Sequence, residues 1–257
     1  FAWDIPTPFP KPPVPADNAM SAAKVELGRR LFYDRRMSVN GAQSCASCHR
    51  QELAFTDGLA RAVGTTGEMH PRGSMSLANI GYSPALTWAD PATTALEAQA
   101  LVPMLGTEPV ELGLRGMEGR FLAVLQRHSV YQRLFSRAFP ESSSAGDRYT
   151  IANVVKAIAA FERTLVSMRS PYDRYRYGGE PNALSESAKR GELFFFSGQR
   201  GGGFQCHGGW NFRGAVRYDG GPFAPPSCNL DIDGDGQVLG TVDTLLHARI
   251  ALGMTGN

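Results

Sequence analysis

The motif that most constrains this 257-residue chain is Cys45-Ala46-Ser47-Cys48-His49, in which two cysteines one helical turn apart precede a histidine. Such a pair of thiols can form thioethers with the two vinyl groups of a haem, and the histidine can then bind the iron as its proximal ligand. A disulfide or half of a zinc site would use the same thiols, but zinc would need a second Cys/His pair at comparable spacing. The sequence has no such pair, so the motif predicts a c-type haem on a short helix.

The overall composition argues against several other classes of protein. A formal net charge of +2 without an extended basic run argues against nucleic-acid binding. No apolar stretch reaches the roughly 18 residues that a membrane-spanning helix needs, so no membrane span is expected. Because thioether-bound haem is normally assembled outside the cytoplasm, we expect a periplasmic protein whose signal peptide has already been removed ahead of Phe1.

The apolar periodicity indicates a mainly α chain with few or no strands. Six prolines make residues 1–18 an extended arm, and residues 55–95 are predicted to be a long functional loop. Amphipathic helices are expected over 22–32, 121–139, 151–168 and from 186 onward, with Ser21, Thr150 and Ser185 as N-caps of the first, third and fourth.

The pattern of the first half returns after residues 170–184, which are predicted to be a linker. A glycine followed three and four residues later by an apolar pair occurs at Gly28 and again at Gly191. Each of these helices leads to a Cys-His pair. The recurrence indicates an internal duplication of a haem-binding unit.

The second Cys-His pair is incomplete. Cys206 and His207 end the motif, but Gly203 stands where its first cysteine would be. We interpret it as a second c-type haem held by a single thioether from Cys206, with His207 as proximal ligand. The alternatives are a stray Cys-His pair and a sequence error at Gly203, and Cys228 is expected to be structural or free.

A series of further motifs extends through most of the chain, over about residues 20–212. It comprises Lys24–Asp34, Ser44–His49, Phe55–Gly58, Ser76–Asn79, Leu86–Trp88, Gln99, Pro103, Pro109–Gly113, Gly191–Phe195 and Cys206–Gly209. The series resembles the bacterial di-haem cytochrome c peroxidase/MauG superfamily. Within it, the block His70–Leu77 is most similar to the MauG-like branch associated with methanobactin biosynthesis.

The resemblance implies two cytochrome c-like domains with one haem each. Residues 19–169 would carry the peroxide-reactive haem, and residues 185–257 the second haem, in a domain that is incomplete at its C-terminus. The segment with the distal ligand of the second haem would follow Asn257, and Met254 is a poor substitute on context.

The resemblance also assigns roles to individual residues. His49 and His207 would be the proximal iron ligands, and Glu111 matches a distal-pocket glutamate that moves protons during O–O cleavage. Gln99 and Pro103 match other residues of that pocket.

Two further matches concern the region between the haems. Trp88 matches a tryptophan that lies between them, and Asn79 matches a ligand of a calcium ion at the domain interface.

Departures from the classical peroxidase pattern leave two assignments open. The stretch 64–67 lacks the histidine that caps the first haem in classical peroxidases, which implies an open distal side as in MauG, although His70 is a rival cap. The spacing from Pro103 to Glu111 is two residues longer than usual, so Glu108 is a rival for the proton-handling role.

Three functions therefore compete. The first is a MauG-like enzyme that uses hydrogen peroxide to oxidise a tryptophan or tyrosine of a partner protein. The second is a classical peroxidase that takes electrons from a small redox protein. The third is an electron-transfer cytochrome without enzymatic turnover, in which both irons would have two firm axial ligands.

Overall fold

A computed structural model describes residues 1–87, 92–198, 202–205, 207, 210–212, 217–218 and 221–222. The chain forms two compact units. Unit 1 comprises Phe1–Asp4 and Lys11–Ser167, and unit 2 comprises Ile5–Pro10 and the described residues from Met168 on. Within the described ranges, no helix has the length and apolar character that a bilayer crossing requires.

Helices dominate the described residues of both units, as the sequence predicts. Unit 1 contains α1 (Ala22–Phe32), α2 (Cys45–Cys48), α3 (Leu96–Gln99), α4 (Leu101–Leu105), α5 (Glu118–Arg127), α6 (Ser129–Ala138), α7 (Ala145–Arg148) and α8 (Ile151–Glu162). Unit 2 contains α9 (Pro171–Tyr177), α10 (Glu186–Phe195) and a two-stranded antiparallel pair, β1 (Arg217–Tyr218) and β2 (Gly221–Pro222). Short 3-10 turns lie at Ala16–Asn18, Arg35–Met37, Gln51–Leu53, Ile80–Tyr82 and Gly203–Gln205.

The predicted N-caps begin the helices assigned to them. The hydroxyls of Ser21, Thr150 and Ser185 accept hydrogen bonds from backbone N–H groups of the first turns of α1, α8 and α10. These bonds satisfy donors that a helix leaves unpaired at its start.

Two predicted helices have different bounds in the structure. The segment 121–139 is two helices rather than one, because the chain leaves helical geometry at His128, whose Nδ1 accepts a hydrogen bond from Val130 N and caps α6. The helix predicted over 151–168 ends at Glu162, and the backbone turns there through hydrogen bonds from the N–H groups of Thr164 and Leu165.

The proline-rich arm and the predicted linker are more structured than the sequence indicates. In the arm, Pro12 and Asn18 are fully buried, and residues 16–18 form a 3-10 turn. In the segment 170–184, Ser170 and Asp173 form a capping box with a proline at the first helical position, and this local signal begins α9.

The core of unit 1 is built around α8, which packs against α1 and α3, while α6 packs against α1 and α5. The contact between α1 and α8 is close at Gly28, where a Cβ atom would lie 1.9 Å from the carbonyl oxygen of Ala157. Two clusters of buried apolar residues fill this core, and Cys45 packs against both of them. The haem motif is therefore anchored directly to the core of unit 1.

Unit 2 is held by aromatic and polar contacts among its described residues. The hydroxyl of Tyr172 on α9 donates to Glu192 on α10 at 3.0 Å, and its ring packs on Phe212. The ring of Phe9 packs against Tyr177 and Trp210, which explains why part of the arm belongs to this unit.

Candidate haem site

A cavity of about 470 Å³ lies inside unit 1. Its walls come from α2, α3, α4, α8 and the long loop that follows the haem motif. Among its lining residues are six that the sequence predicts for the site, namely Cys45, Cys48, His49, Gln99, Pro103 and Glu111. Much of the remaining wall is apolar, formed by Leu77, Ile80, Leu86, Leu96, Met104 and Ile158. A cavity of this size and lining suits a large apolar ligand held by a few polar groups.

The short helix α2 brings both thiols to this cavity. Ser47 Oγ accepts a hydrogen bond from Ser44 N at 3.0 Å, which fixes the start of the helix. Cys45 and Cys48 are three residues apart on one turn and therefore share a face, and neither is in a disulfide. Burial raises the pKa of both thiols, and the charge of Glu162 raises the pKa of Cys45 further.

The imidazole of His49 is oriented by the turn that follows it. Its Nδ1 lies 2.8 Å from the carbonyl oxygen of Phe55. A carbonyl can only accept, so Nδ1 carries the hydrogen and Nε2 has the lone pair that a metal would need. Ala54 and Phe55 both have left-handed backbone angles, with φ of 55° and 61°, and this turn directs the carbonyl back toward the ring.

Burial is the largest influence on His49 and lowers its pKa, against the opposing effect of backbone hydrogen bonds at Phe55 and Met75. The imidazole is therefore neutral, which is the form that binds metal. Two free thiols on one turn, a neutral oriented imidazole and an apolar cavity together fit the requirements of a c-type haem.

The segment that carries Glu111 is fixed by backbone hydrogen bonds on three sides. Leu112 N donates to Pro103 O on α4 at 2.9 Å, and Val39 N donates to Leu112 O at 2.9 Å. Thr65 N donates to the carbonyl oxygen of Glu111 at 2.8 Å. Burial raises the pKa of Glu111 to about 7, so its side chain can both accept and donate a proton near neutral pH.

The structure distinguishes Glu111 from its rival by position. Glu108 is exposed and is not among the described residues that line the cavity, whereas Glu111 lines it.

The stretch 64–67 supports Glu111 through its backbone. A Cβ atom at Gly64 would lie 1.8 Å from the carbonyl oxygen of Val110, so only glycine allows this close approach. The same segment folds back on itself, with hydrogen bonds from Gly64 N to Glu68 O and from His70 N to Ala62 O. This small hairpin places His70 on the cavity wall, where burial lowers the pKa of its imidazole.

Asn79 lies away from the cavity and bonds to the segment after α8. Its Oδ1 accepts from Ser167 N at 2.7 Å, and its Nδ2 donates to Ser167 O at 3.1 Å. Within the described ranges, no cluster of histidine, cysteine or acidic side chains is arranged to hold a metal ion. The assignment of Asn79 as a calcium ligand stays a prediction.

Unit 2 repeats part of the backbone geometry of the haem motif. His207 N donates to Gly203 O at 2.9 Å, as His49 N donates to Cys45 O at 2.9 Å. A Cβ atom at Gly203 would lie 2.6 Å from the ring of Phe195, so a cysteine at this position would require the ring to move. His207 is exposed, and Cys206 and Trp88 lie outside the described residues.

Glu162 is a cavity residue that sequence reasoning missed. It is 6% exposed, lines the cavity one turn after Ile158, and its Oε2 has no hydrogen-bond partner within the described part of the chain. The sequence did contain a signal for this residue, because Glu162 is a lone acidic residue at the end of the apolar run 157–161, four residues after Ile158.

The fold and the site define a helical protein with a cavity that fits a c-type haem, and comparison with known proteins identifies its family. The family model for di-haem cytochrome c peroxidases matches residues 22–181. The chain therefore belongs to the di-haem cytochrome c peroxidase family, a family whose name implies two haems. This result confirms the resemblance found in the sequence.

The relatives include both MauG proteins and classical peroxidases. Methylamine utilization protein MauG of Methylorubrum extorquens is 36% identical over 84% of this chain and 60% of its own length. Cytochrome c551 peroxidase of Pseudomonas aeruginosa is 29% identical over 84% of this chain and 59% of its own length. The chain thus spans less than two thirds of the length of these curated relatives.

A solved structure described as a MauG-like protein associated with microbial copper homeostasis is also similar. It is 39% identical, with a TM-score of 0.81, over 88% of this chain and 63% of that one. The match confirms the predicted mainly α fold.

Proposed function

We propose that this protein is a periplasmic di-haem oxidoreductase that uses hydrogen peroxide to oxidise a tryptophan or tyrosine side chain of a partner protein. The observation that carries the proposal is the meeting of the haem-binding motif and the partly buried carboxyl group of Glu111 in one cavity. The similarity to MauG proteins supports the protein substrate.

The chain's own residues would hold the first haem in a defined orientation. Cys45 and Cys48 would form the two thioethers, and Nε2 of His49 would bind the iron. The bond from Nδ1 to the Phe55 carbonyl fixes the tautomer and increases the basicity of Nε2. When bound, the haem supplies the iron that receives peroxide and takes up its oxidising equivalents.

Glu111 would move the proton that makes water the leaving group. Its carboxylate would accept a proton from one oxygen of peroxide and deliver it to the other oxygen, which then leaves as water. A pKa of about 7 suits both halves of this transfer. Pro103 contributes by position, since its carbonyl holds the segment that carries Glu111, and the amide of Gln99 lines the same cavity as a hydrogen-bonding group.

A pair of matched substitutions tests this role. We expect Glu111→Gln to slow peroxide-driven oxidation of the haem by about 100-fold or more, because an amide cannot transfer the proton. Glu108→Gln is the control, because Glu108 is an exposed carboxyl only three residues away. Stopped-flow absorption after mixing with peroxide measures the rate of haem oxidation in each variant. An unchanged rate in the Glu111 variant, or an equal loss in the control, would contradict the assignment.

His70 supports a second candidate function, the classical peroxidase that takes electrons from a small redox protein. Its position on the cavity wall makes it available as a displaceable ligand on the open side of the iron. The ferric spectrum distinguishes the two. A high-spin spectrum that His70→Ala leaves unchanged supports the MauG-like function, whereas a low-spin spectrum that becomes high-spin in this variant supports the peroxidase.

Turnover assays separate the remaining functions. Rapid steady-state peroxide reduction with a small cytochrome or copper protein would favour the classical peroxidase. A low-spin ferric spectrum that is insensitive both to peroxide and to His70→Ala would favour the electron-transfer cytochrome.

We further propose a second haem attached through Cys206 alone, with His207 as its proximal ligand. The helical hydrogen bond from His207 N to Gly203 O supports a motif-like turn, and the Phe195 ring stands where a first cysteine would project.

Trp88 is proposed to pass oxidising equivalents between the haems. If Trp88→Phe leaves electron exchange between the haems unaltered, this relay is wrong.

A further inference from the structure

The cavity contains a second carboxyl group, that of Glu162, which is buried and which the proposed peroxide chemistry does not use. Glu162 ends α8, and Oε2 is buried without a hydrogen-bond partner among the described residues. Burial raises the pKa of Glu162 to about 8, and the charge of Arg163 only partly opposes this effect. Near neutral pH the carboxyl is therefore mostly protonated.

The position of Glu162 is at the Cys45 side of the cavity. Its charge acts on the Cys45 thiol and is not among the influences on Cys48 or His49. A carboxyl here would lie beside the edge of the ring that Cys45 attaches, rather than beside the iron ligand. It would still lie close enough to respond to the charge of the haem, because a low-dielectric cavity weakens screening.

Two charged groups act on the pKa of Glu162, namely Arg163 and Glu97, and they pair with each other. The guanidinium of Arg163 donates to both carboxylate oxygens of Glu97, at 2.8 and 2.9 Å. The rings of Phe32, at the end of α1, and of Tyr33, its C-cap, pack against Phe161 on α8. The other titratable or charged groups on the cavity wall are Cys45, Cys48, His49, His70, Arg72 and Glu111.

We propose that Glu162 is a redox-linked proton site of the first haem. It holds its proton while the haem is reduced and releases it to solvent when the haem loses an electron to a one-electron oxidant. One electron and one proton leave, and the only covalent bond broken is the O–H bond of the carboxyl. The physical reason is that added positive charge in the cavity favours the carboxylate. The inference rests on the haem of the proposed function, but not on its reaction with peroxide.

Redox-difference infrared spectroscopy near neutral pH tests the inference in the haem-loaded protein. We expect the C=O band of a protonated carboxyl to disappear on oxidation and to return on reduction. This change should be lost in Glu162→Gln and retained in Glu111→Gln, which removes the other carboxyl group that lines the cavity. A band that persists in Glu162→Gln, or that depends on Glu111 instead, overturns the inference.

A potentiometric titration gives an independent readout. In the wild type the reduction potential should fall as pH rises toward the pKa of Glu162, and Glu162→Gln should at least halve this slope. If the glutamine variant fails to load haem, Glu162→Asp takes its place. A shifted carboxyl band in that variant supports the inference, and an unshifted band overturns it. A haem that does not react with peroxide but still shows the Glu162-dependent band would refute the proposed function and leave this inference intact.

Discussion

Glu97 is partly buried in unit 1 and Glu162 is buried there, but their surroundings shift the two pKa values in opposite directions. Burial alone would raise the pKa of Glu97, but hydrogen bonds from Arg163 and Asn18 outweigh it and lower the pKa. Glu162 Oε2 has no such donor among the described residues, and burial raises the pKa of Glu162. The first carboxylate therefore contributes stability, while the second is ionised only at a cost that a cofactor's charge can offset.

The Glu97–Arg163 pair gives a prediction for stability. Glu97→Gln should lower the free energy of unfolding by about 3–5 kcal/mol at neutral pH, because Arg163, whose side chain is 4% exposed, loses its charge partner. Since the folded pKa of Glu97 is lowered, the pair's contribution is present above the unfolded pKa of about 4.3 and is lost as pH falls through the folded value. Denaturant unfolding at several pH values measures the contribution of this pair to the free energy of unfolding.

Glu186→Gln is the matched control for this prediction. Glu186 pairs with Lys189 on α10, but its side chain is 78% exposed. We expect a change of only about 0.5 kcal/mol or less. Equal losses in the two variants would show that burial of the Glu97 pair has no special effect.

At the residue scale, the sequence predicted the haem motif but not the full cavity. Cys45, Cys48 and His49 are adjacent in the chain, so their arrangement follows from local geometry alone. Glu111 and Glu108 remained rivals because loop spacing does not say which side chain turns inward. Glu162 was missed because its position depends on how α8 packs against the rest of unit 1, which no local pattern specifies.

At the scale of elements, the ends of helices were predictable where a capping residue precedes them. Ser21, Thr150 and Ser185 supply such local signals. The break at His128 was not predictable from periodicity, because the buried residues Leu125 and Tyr131 on either side maintain the apolar stripe. A one-residue interruption changes the direction of the chain without changing which side chains are apolar.

The close contact between α1 and α8 gives a prediction at this scale. Glycine-to-alanine substitution in a helix normally stabilises it by about 0.5–1 kcal/mol. Gly28→Ala should instead destabilise the protein, because the added methyl group would meet the Ala157 carbonyl at 1.9 Å. Gly119→Ala on α5 is the control, since no described atom lies within 4 Å of its Cβ position. The thermal unfolding temperature should fall in Gly28→Ala and rise in Gly119→Ala. A rise in both variants would contradict the close contact between α1 and α8.

At the scale of the whole molecule, the chain consists of two compact units that use the haem motif differently. The first motif is complete, with Cys45 and Cys48 on one helical turn. In the second, Gly203 replaces one cysteine, and the ring of Phe195 occupies the adjoining space. The sequence predicts a repeat because both halves place a Gly-containing helix before a Cys-His pair. The structural consequence of Gly203 could not be predicted from the sequence, because it depends on the ring of Phe195, eight residues earlier.

Because of this difference, loss of one cysteine should affect the two proposed haem attachments differently. We expect the intact mass of the denatured wild-type protein to include two covalent haems. Cys206→Ser should lose one of them, because the second motif has no other thiol, whereas Cys48→Ser should keep both, because Cys45 still forms a thioether. Cys228→Ser, which removes the fourth cysteine of the chain, should also keep both. A wild-type mass with a single haem, or a Cys206→Ser mass that retains two, would exclude a haem held by Cys206 alone.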